Sequence, residues 1–511
     1  MISDPGIAFQ RPKGLTRILA LCAALAAASL ACAAAETAPE DAPLTLDQAI
    51  RLALAKNYTI RVQSYEVPIA QAAVTEALGR FDAKLSGSTN DSRDELPNLL
   101  NPLSGARPPA TVTDTDTYSL ALAGSIPGGL GYSIGASTTN ARGTSNLFSD
   151  TYTSFAGVTL TQPLLRDFGL GTSLAQVRIA RTNRAISEWD YRQTVIDTVT
   201  QVAYAYSDFQ LAQAYLRSAI RSYESAQQLE KENERRFSVG ERSEYDITSA
   251  KAEVASRQES VFAAQRYVSL AENAFNQLIS DQKNPDLLKG RISLAPLPLD
   301  EPLRIDPAAD FRTALEKRPD YLKALLSIKR GKIEKNYQLN QLLPRVDLVG
   351  SYGYNGLAGD YHNSRRDIRN QDFPSYSAGV NVTVPITSST ERGRYRAAKI
   401  RLQQAELMLE RMEQDIVVQV GNAAVQLENT RKRVEATRSA RELYDKLVEA
   451  EIKRLRAGTG STFNVLYQQR YLSQAEISEA QAQSDYFKAR ADYDRQLGRT
   501  LEVNRIALAE K

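Results

Sequence analysis

The sequence predicts a mostly α-helical fold with β-strands, built as two tandem copies of one unit: helix, strands, long helix, short break, long helix. Three observations carry this prediction. Landmark segments recur in the same order along the chain. Heptad-spaced apolar positions run on for lengths that no ordinary globular core needs. Between them lie short stretches in which apolar residues alternate with small or polar ones.

The duplication is read from five matches. Ala53-Leu-Ala-Lys-Asn-Tyr58 aligns with Ala314-Leu-Glu-Lys-Arg-Pro319, a shift of 261 residues (53 to 314), and the same shift carries Ala83-Lys-Leu85 onto Pro344-Arg-Val346. Ala156-Gly-Val-Thr-Leu-Thr-Gln-Pro-Leu164 aligns with Ala378-Gly-Val-Asn-Val-Thr-Val-Pro-Ile386 at a shift of 222 (156 to 378). Phe237-Ser-Val-Gly240 then meets Leu455-Arg-Ala-Gly458 at 218 (240 to 458), and Gln277-Leu278 meets Gln496-Leu497 at 219 (277 to 496). The shift shortens between the second and third matches, which places an insertion in the first copy between Leu85 and Ala156. The repeats are bounded at 44–283 and 307–498.

Taken from the start, residues 1–35 read as a secretory signal peptide. Arg11, Lys13 and Arg17 precede an apolar run from Ile18 to Leu30, and Ala33-Ala34-Ala35 supplies the small residues of a cleavage site. The alternative is lipidation of Cys32, which follows Ser29-Leu30-Ala31, where a branched apolar residue is the usual occupant of the Ser29 position. No later stretch reaches the ~20 apolar residues that span a bilayer as a helix. The mature chain is therefore either soluble or inserted as a β-barrel.

Strands are expected at about 84–90, 117–125, 130–138 and 153–162 in the first copy, with Pro127-Gly128-Gly129 as the turn between two of them. In the second copy Val346, Leu348, Tyr352 and Tyr354 share one parity, and Val380, Val382 and Val384 alternate with Asn381 and Thr383. Such alternation, with tyrosines near strand ends, suits a membrane barrel wall. The polar stretches 91–116, 140–151 and 355–375 read as loops outside the bilayer. So few strands per copy cannot close a barrel, and open edges are not tolerated in lipid, so closure demands several chains.

The first long helix is expected from about Gly171 to Phe237. Its seam runs Val195, Val199, Val202, Tyr206, Phe209, Leu216, Ile220 and Tyr223, with Gln213 filling one gap. The second runs from about Arg394 to Leu455, through Leu402, Ala405, Leu409, Met412, Ile416, Val420, Ala423, Leu427 and Val434. Return helices start near Ser243 and Ser461, after reversals at Gly240 and Gly458 where a permissive backbone is needed. Residues 284–306, with Pro285, Pro296, Pro298 and Pro302, form a linker that cannot be one helix. Residues 499–511 form a C-terminal tail.

Composition excludes several function classes. Lys+Arg number 63 against 60 Asp+Glu, a net charge of +3, which gives no reason to expect nucleic acid. Cys22 and Cys32 are the only cysteines and His362 the only histidine, so no disulfide framework, Cys/His metal cluster or His-dependent nucleophile can be built. Gly129-Leu-Gly131-Tyr-Ser-Ile-Gly135 follows a turn and has the wrong spacing for a dinucleotide loop. Arg456-Ala-Gly-Thr-Gly-Ser461 lacks the Lys of a phosphate loop. No enzyme activity, catalytic residue, cofactor or metal is expected.

A family resemblance follows from Leu44-Thr-Leu-Asp-Gln-Ala-Ile50, Arg318-Pro-Asp320, Leu343-Pro344, Gln162-Pro-Leu-Leu165 and the paired turns Val239-Gly240 and Ala457-Gly458. In their order and twofold repetition these segments resemble the TolC-type outer-membrane efflux proteins over nearly all of the mature chain. The resemblance implies a trimeric outer-membrane β-barrel, four strands from each protomer, continued by a long periplasmic α-helical coiled-coil barrel. It implies an equatorial layer made by residues 284–306 and the tail, and contact with outer-membrane lipid. It also implies partners: a periplasmic adaptor meeting the turns at Val239, Gly240, Ala457 and Gly458, and an inner-membrane pump or ABC transporter supplying the energy. The channel would be the passive exit duct of a multicomponent efflux or type I secretion system. A soluble periplasmic coiled-coil scaffold or adaptor is the alternative, and such a protein needs one hairpin rather than two.

The resemblance further implies acidic residues just after the turns, narrowing the pore and favouring cations. Asp246 holds that position in the first copy, with Glu244 as a second candidate. In the second copy Asn464 stands where an Asp can occur, and Tyr467 lies one turn on. Asp246 reads equally as a helix-start carboxylate favoured by the helix dipole. Arg454 and Arg456 are within reach, in sequence terms, of pairing with these carboxylates across helices.

Overall fold

The computed structural model describes residues 43–100, 102–240, 243–283, 292–298 and 305–508. The signal peptide, Cys32, most of the 284–306 linker and the end of the tail lie outside the described residues.

The first copy opens with three helices: α1 (Leu46–Lys56), α2 (Tyr58–Gln63) and α3 (Glu66–Leu78). Thr45 starts α1 with a capping box, its Oγ1 accepting from the Gln48 N–H at 3.3 Å while Gln48 Oε1 accepts from the Thr45 N–H at 3.0 Å. Asn57 ends α1 and caps α2, its Oδ1 accepting from the Thr59 N–H at 2.8 Å. Four strands follow: β1 (Lys84–Leu96), β2 (Thr111–Ser125), β3 (Gly131–Gly143) and β4 (Thr151–Pro163). Then come the long helix α4 (Ala175–Ser238) and its return α5 (Glu244–Ile279). The second copy repeats the plan with α6 (Pro307–Lys317), α7 (Pro319–Gln341), β5 (Arg345–Ala358), α8 (Tyr361–Asn370), β6 (Phe373–Thr383), α9 (Ser389–Arg456) and α10 (Thr462–Gln496).

The first sequence match is now a structural one. Asn57 and Arg318 each sit at a break between two helices, and each docks on the end of its own copy's return helix. Asn57 Nδ2 donates to the Leu278 carbonyl at 3.0 Å, and Arg318 Nη1 donates to Gln496 Oε1 at 3.0 Å. Ala53 and Ala314, the matched alanines one turn earlier, are both buried because the helices close over them.

The strands form one antiparallel sheet in the order β1-β2-β3-β4-β5-β6. This corrects the strand count that the resemblance implies. The protomer contributes six strands to the sheet, where the resemblance implies four. The inserted hairpin β2–β3 lies inside the sheet, between β1 and β4. The loops expected at 91–116 and 140–151 are shorter, because the strands run on into them: Asp91 pairs with Asp116, and the ladder continues to Leu96 and Thr111. Alternation disappears there because Thr, Asp and Arg occupy both faces, which is what a ribbon wetted on both sides requires. Arg142 ties this polar end together, lying 3.7 Å from Asp116 and 3.9 Å from Asp150. The third expected loop, 355–375, holds the end of β5, helix α8 and the start of β6.

The hairpin ends of β1–β2, β3–β4 and β5–β6 lie at the end of the sheet away from the long helices; the β2–β3 turn lies at the helix end. At that turn Gly129 has φ +98°, and a Cβ there would lie 2.8 Å from the Asp167 carbonyl oxygen, so both backbone conformation and space demand glycine.

Helices α4 and α9 have 64 and 68 residues, about 96 and 102 Å at 1.5 Å per residue. Val195, Val199, Val202, Tyr206 and Phe209 are buried as the seam predicts, but Ile220 is 37% exposed. Beyond Phe209 the buried positions shift to Leu211, Ala212, Ser218 and Ala226. Up to Phe209 the seam packs into one apolar cluster with Ile50 and Phe275; beyond it α4 lies between α5 and α10, where Tyr215 Oη donates to Gln481 Oε1 at 3.2 Å and Ser218 Oγ to Glu476 Oε2 at 2.8 Å.

At the waist, Leu44 forms a parallel bridge with Leu294 of the linker. The buried Tyr206 hydroxyl donates to the carbonyls of Leu44 (2.8 Å) and Ala295 (2.6 Å). Ile292, Leu294, Leu297, Leu501, Ile506 and Leu508 pack on the same apolar cluster, so linker and tail share one layer around the middle of the helices. Among the described residues no helix is long and apolar enough to cross a membrane.

Candidate functional site

Two regions carry the chemistry: the two faces of the sheet, and the tips of the helical hairpins.

The register sorts the sheet residues into two faces. One row runs Leu85, Leu122, Ile134, Val158, Tyr352 and Tyr376, one residue from each strand. All six are exposed, from 36% for Val158 to 82% for Tyr376. The neighbouring row on the opposite face runs Lys84, Ala123, Ser133, Thr159, Ser351 and Ser377. One face is thus apolar and exposed, with Leu120, Leu160, Leu348, Val380 and Val382 adding to it. The other is small and hydroxylic, with Ser88 and Ser119 hydroxyls 2.7 Å apart and those of Ser351 and Ser377 2.8 Å apart. A sheet with that contrast fits hydrocarbon on one side and water on the other.

At the other end, each long helix stops at a glycine in the left-handed region, Gly240 at φ +80° and Gly458 at φ +75°. Val239 and Ala457 are the residues just before them. In the second turn, the Thr459 and Gly460 N–H groups both donate to the Arg454 carbonyl at 3.0 Å, which closes the helix end. A Cβ on Gly460 would lie 2.8 Å from the Leu455 nitrogen, so this loop has no room for a side chain there.

The two tips lie together. Thr462 Oγ1 donates to the buried Asn233 Oδ1 at 3.3 Å, joining the start of α10 to the end of α4. Slightly further up, Glu253 of α5 pairs with Arg257 at 2.7 Å and with Arg470 of α10 at 3.3 Å.

The return helices start alike but not identically. Ser243 and Asp246 form a full capping box: Ser243 Oγ accepts from the Asp246 N–H at 3.3 Å, and Asp246 Oδ2 accepts from the Ser243 N–H at 3.1 Å. At the matched position Asn464 makes one half of it, its N–H donating to Ser461 Oγ at 3.2 Å. Asp246 is therefore seated as a helix-start carboxylate, while Glu244 beside it is exposed. Tyr467 belongs to an aromatic ladder that sequence reasoning missed. Its ring lies 6.1 Å from Phe463 and 4.7 Å from Tyr471, which stacks at 5.7 Å on Tyr444 of α9. The spacing of four between 463, 467 and 471 was the available signal. Arg454 does not reach the Asp246 side; it pairs with Glu451 of its own helix at 2.8 Å.

Among the described residues no cluster of His, Cys, Asp or Glu is arranged to hold a metal ion.

Comparison with known proteins gives a consistent result. Residues 115–280 and 311–499 match the outer membrane efflux protein family. The outer membrane efflux protein BepC of Brucella suis biovar 1 is 24% identical over 337 residues, covering 65% of this chain and 69% of that protein. The Campylobacter jejuni CmeC outer membrane channel superposes with a TM-score of 0.66 at 17% identity, over 89% of this chain and 86% of that one. The open state of the Neisseria gonorrhoeae MtrE outer membrane channel superposes with a TM-score of 0.64 at 19% identity, over 89% of each chain.

Proposed function

The chain belongs to the outer membrane efflux protein family, and from that premise we propose that three copies form one passive duct from periplasmic partners to the cell exterior. It is an outer-membrane channel protein. The observation that carries the trimeric reading is the sheet: six strands with an apolar exposed face and a hydroxylic face, ending in two unpaired edges. Open edges leave backbone N–H and C=O groups unsatisfied in lipid, so copies must close the wall together. The outward apolar rows disfavour the soluble scaffold, which would leave them in water.

The tips supply the inner end. Both glycine turns lie side by side, held by the Asn233–Thr462 contact, so Val239, Gly240, Ala457 and Gly458 form one surface for the hairpins of a periplasmic adaptor. An inner-membrane pump or ABC transporter upstream provides the energy. Asp246, Glu244, Asn464 and Tyr467 sit just behind that surface and are the gate candidates, with three Asp246 carboxylates concentrating cations at the threefold axis.

The test is biochemical. Protein extracted from outer membranes in mild detergent should migrate as a heat-modifiable trimer and conduct in planar bilayers. A monomer that stays soluble without detergent contradicts the proposal.

A further inference from the structure

We infer that the wall of the assembled channel has eighteen strands, six from each copy, and that the hairpin β2–β3 is structural wall rather than an appendage. This rests on the trimeric reading above.

Four observations carry it. First, β2 and β3 are fully paired on both sides, β2 with β1 from Lys84↔Ala123 to Leu96↔Thr111 and β3 with β4 from Gly131↔Thr161 to Ala141↔Thr151. In this sheet β1 has no other strand partner than β2, and β4 is joined to β1 only through the hairpin, its other side being paired with β5. Second, the hairpin carries the same facing pattern as its neighbours: Leu122 and Ile134 continue the apolar row, and Ala123 and Ser133 continue the small, polar one. An appendage bathed in water on both faces has no reason to match that register. Third, a hairpin adds two strands, so strand direction still alternates and β1 still begins, and β4 still ends, at the helix side. Fourth, the two edges that remain are β1 and β6. From Leu85 to Asn90 and from Ser375 to Thr383 neither edge carries a charged residue or a proline, the usual devices that keep an edge from pairing. The partner each edge fits is the opposite edge of a second copy.

The girth of the helices agrees. Each protomer is four helices wide, with α3, α4, α7 and α9 beside the sheet and α4, α5, α9 and α10 toward the tips. Twelve helices at roughly 9 to 10 Å each give a circumference of about 110–120 Å. Eighteen strands about 4.8 Å apart, tilted by about 40°, give about 113 Å, whereas twelve give about 75 Å. The wider wall meets the tube without a step.

The experiment is electron cryomicroscopy of the full-length trimer in lipid nanodiscs, with strands counted in section. Disulfide trapping is the companion measurement, using the variant pairs Ser88→Cys with Ser119→Cys and Thr138→Cys with Ser154→Cys, whose wild-type hydroxyls lie 2.7 and 2.9 Å apart. Eighteen strands and both within-chain links in membrane-extracted trimers are expected. A threefold particle with twelve strands, or trimers in which neither link forms, overturns the eighteen-stranded wall and leaves the channel reading intact. Absence of any trimer overturns the channel reading itself.

A second proposal rests on a different observation, helix α8. It folds back onto the apolar face of the sheet just past its last apolar rows. Ser364, fully buried, places its Oγ 2.7 Å from Ser154 Oγ, and a Cβ on Gly356 would fall 1.9 Å from the Ser364 carbonyl oxygen. Tyr361 sets its ring edge-on to Tyr152 at 6.2 Å. Between α8 and the sheet runs a cleft of about 950 Å³, walled by Leu120, Ala136, Ala156 and Ile368 and bordered by Arg365 and Arg369. Arg365 lies over the Tyr361 ring at 5.3 Å, and neither arginine has a carboxylate partner among the described residues. We propose that this cleft holds a phosphate-bearing lipid of the outer leaflet, acyl chain along Leu120 and Ala136, phosphate on the two guanidinium groups.

Native mass spectrometry of the intact trimer tests this with a bisphosphorylated multi-acyl lipid, the same lipid dephosphorylated, and inorganic phosphate. Wild type should retain the phosphorylated lipid, and the double variant Arg365→Gln/Arg369→Gln should lose at least tenfold in retention while remaining trimeric. Equal retention by wild type and variant, equal retention of the dephosphorylated lipid, or displacement by millimolar inorganic phosphate overturns it.

Discussion

Arg470 of α10 reaches Glu253 of α5 at 3.3 Å, so one salt bridge joins the return helices of the two repeats close to their tips. Glu253 keeps a second partner, Arg257, at 2.7 Å, and the Arg470 side chain is 67% exposed. The link is thus screened and weak, below about 1 kcal/mol by the measure of exposed pairs. Arg470→Ala should raise the open probability of the isolated channel no more than a few-fold, and high salt should produce the same change in the wild type. Single-channel recording checks both. Identical traces for variant and wild type at low salt would show that this bridge has no part in gating.

Asp246 has two candidate roles that separate on substitution. As a cap, its loss should cost about 1 kcal/mol of helix-start stability. As part of a carboxylate ring, its loss should raise conductance or lower cation selectivity. Asp246→Asn keeps the acceptor oxygen and removes the charge. The gate proposal expects altered reversal potentials in a salt gradient for both Asp246→Asn and Asp246→Ala. A change in thermal stability with unaltered selectivity would leave Asp246 as a cap alone.

Gly458 has φ +75° and open space around the position of a Cβ, so a side chain there costs about 1–2 kcal/mol in backbone strain and projects outward without a clash. Gly458→Glu should abolish export in cells while trimers still reach the outer membrane. Quantifying cargo efflux alongside trimer abundance checks this. Undiminished efflux would remove Gly458 from the adaptor surface.

Burial pushes the Tyr206 hydroxyl up to about 12 from the ordinary 10. Because the folded state holds this proton more tightly than the unfolded chain, its contribution is fully present below pH 10 and is lost as pH rises through about 12. Tyr206→Phe removes the hydroxyl from the Leu44 and Ala295 carbonyls, which keep the Ala295 N–H and the Gln210 side-chain amide as donors, at a cost of about 1 kcal/mol. Alkaline melts of the detergent-solubilised trimer should show a shallower loss of stability between pH 10 and 12 for the variant than for the wild type. Parallel slopes would show that another group governs alkaline unfolding.

Much of this architecture was legible in the residues, because periodicity follows from which side of an element is buried. Ser243 and Ser461 announced both return helices, and the seam from Val195 to Phe209 was read at its true positions. The strand ends were not legible: Asp91 and Asp116 pair across β1 and β2, but outside lipid nothing forces their neighbours to alternate. The seam beyond Phe209 failed for the opposite reason, since the apolar cluster around Phe275 ends there and α4 divides its buried side between α5 and α10, which no local pattern announces. The insertion was visible as a shortened repeat shift, whereas its place between β1 and β4 is a matter of tertiary pairing. At the tips, the glycines and the Asp246/Asn464 difference were readable, and the Glu253–Arg470 bridge, made between separate repeats, was not.

The central claim is that the sheet separates hydrocarbon from a water-filled lumen. Single-cysteine variants at neighbouring positions test it directly: Val158→Cys against Thr159→Cys on β4, and Ser351→Cys against Tyr352→Cys on β5. In outer-membrane preparations, a membrane-impermeant maleimide should label positions 159 and 351 quickly and positions 158 and 352 only after detergent unfolding. Equal labelling at all four positions, as for a sheet with water on both faces, would contradict the account.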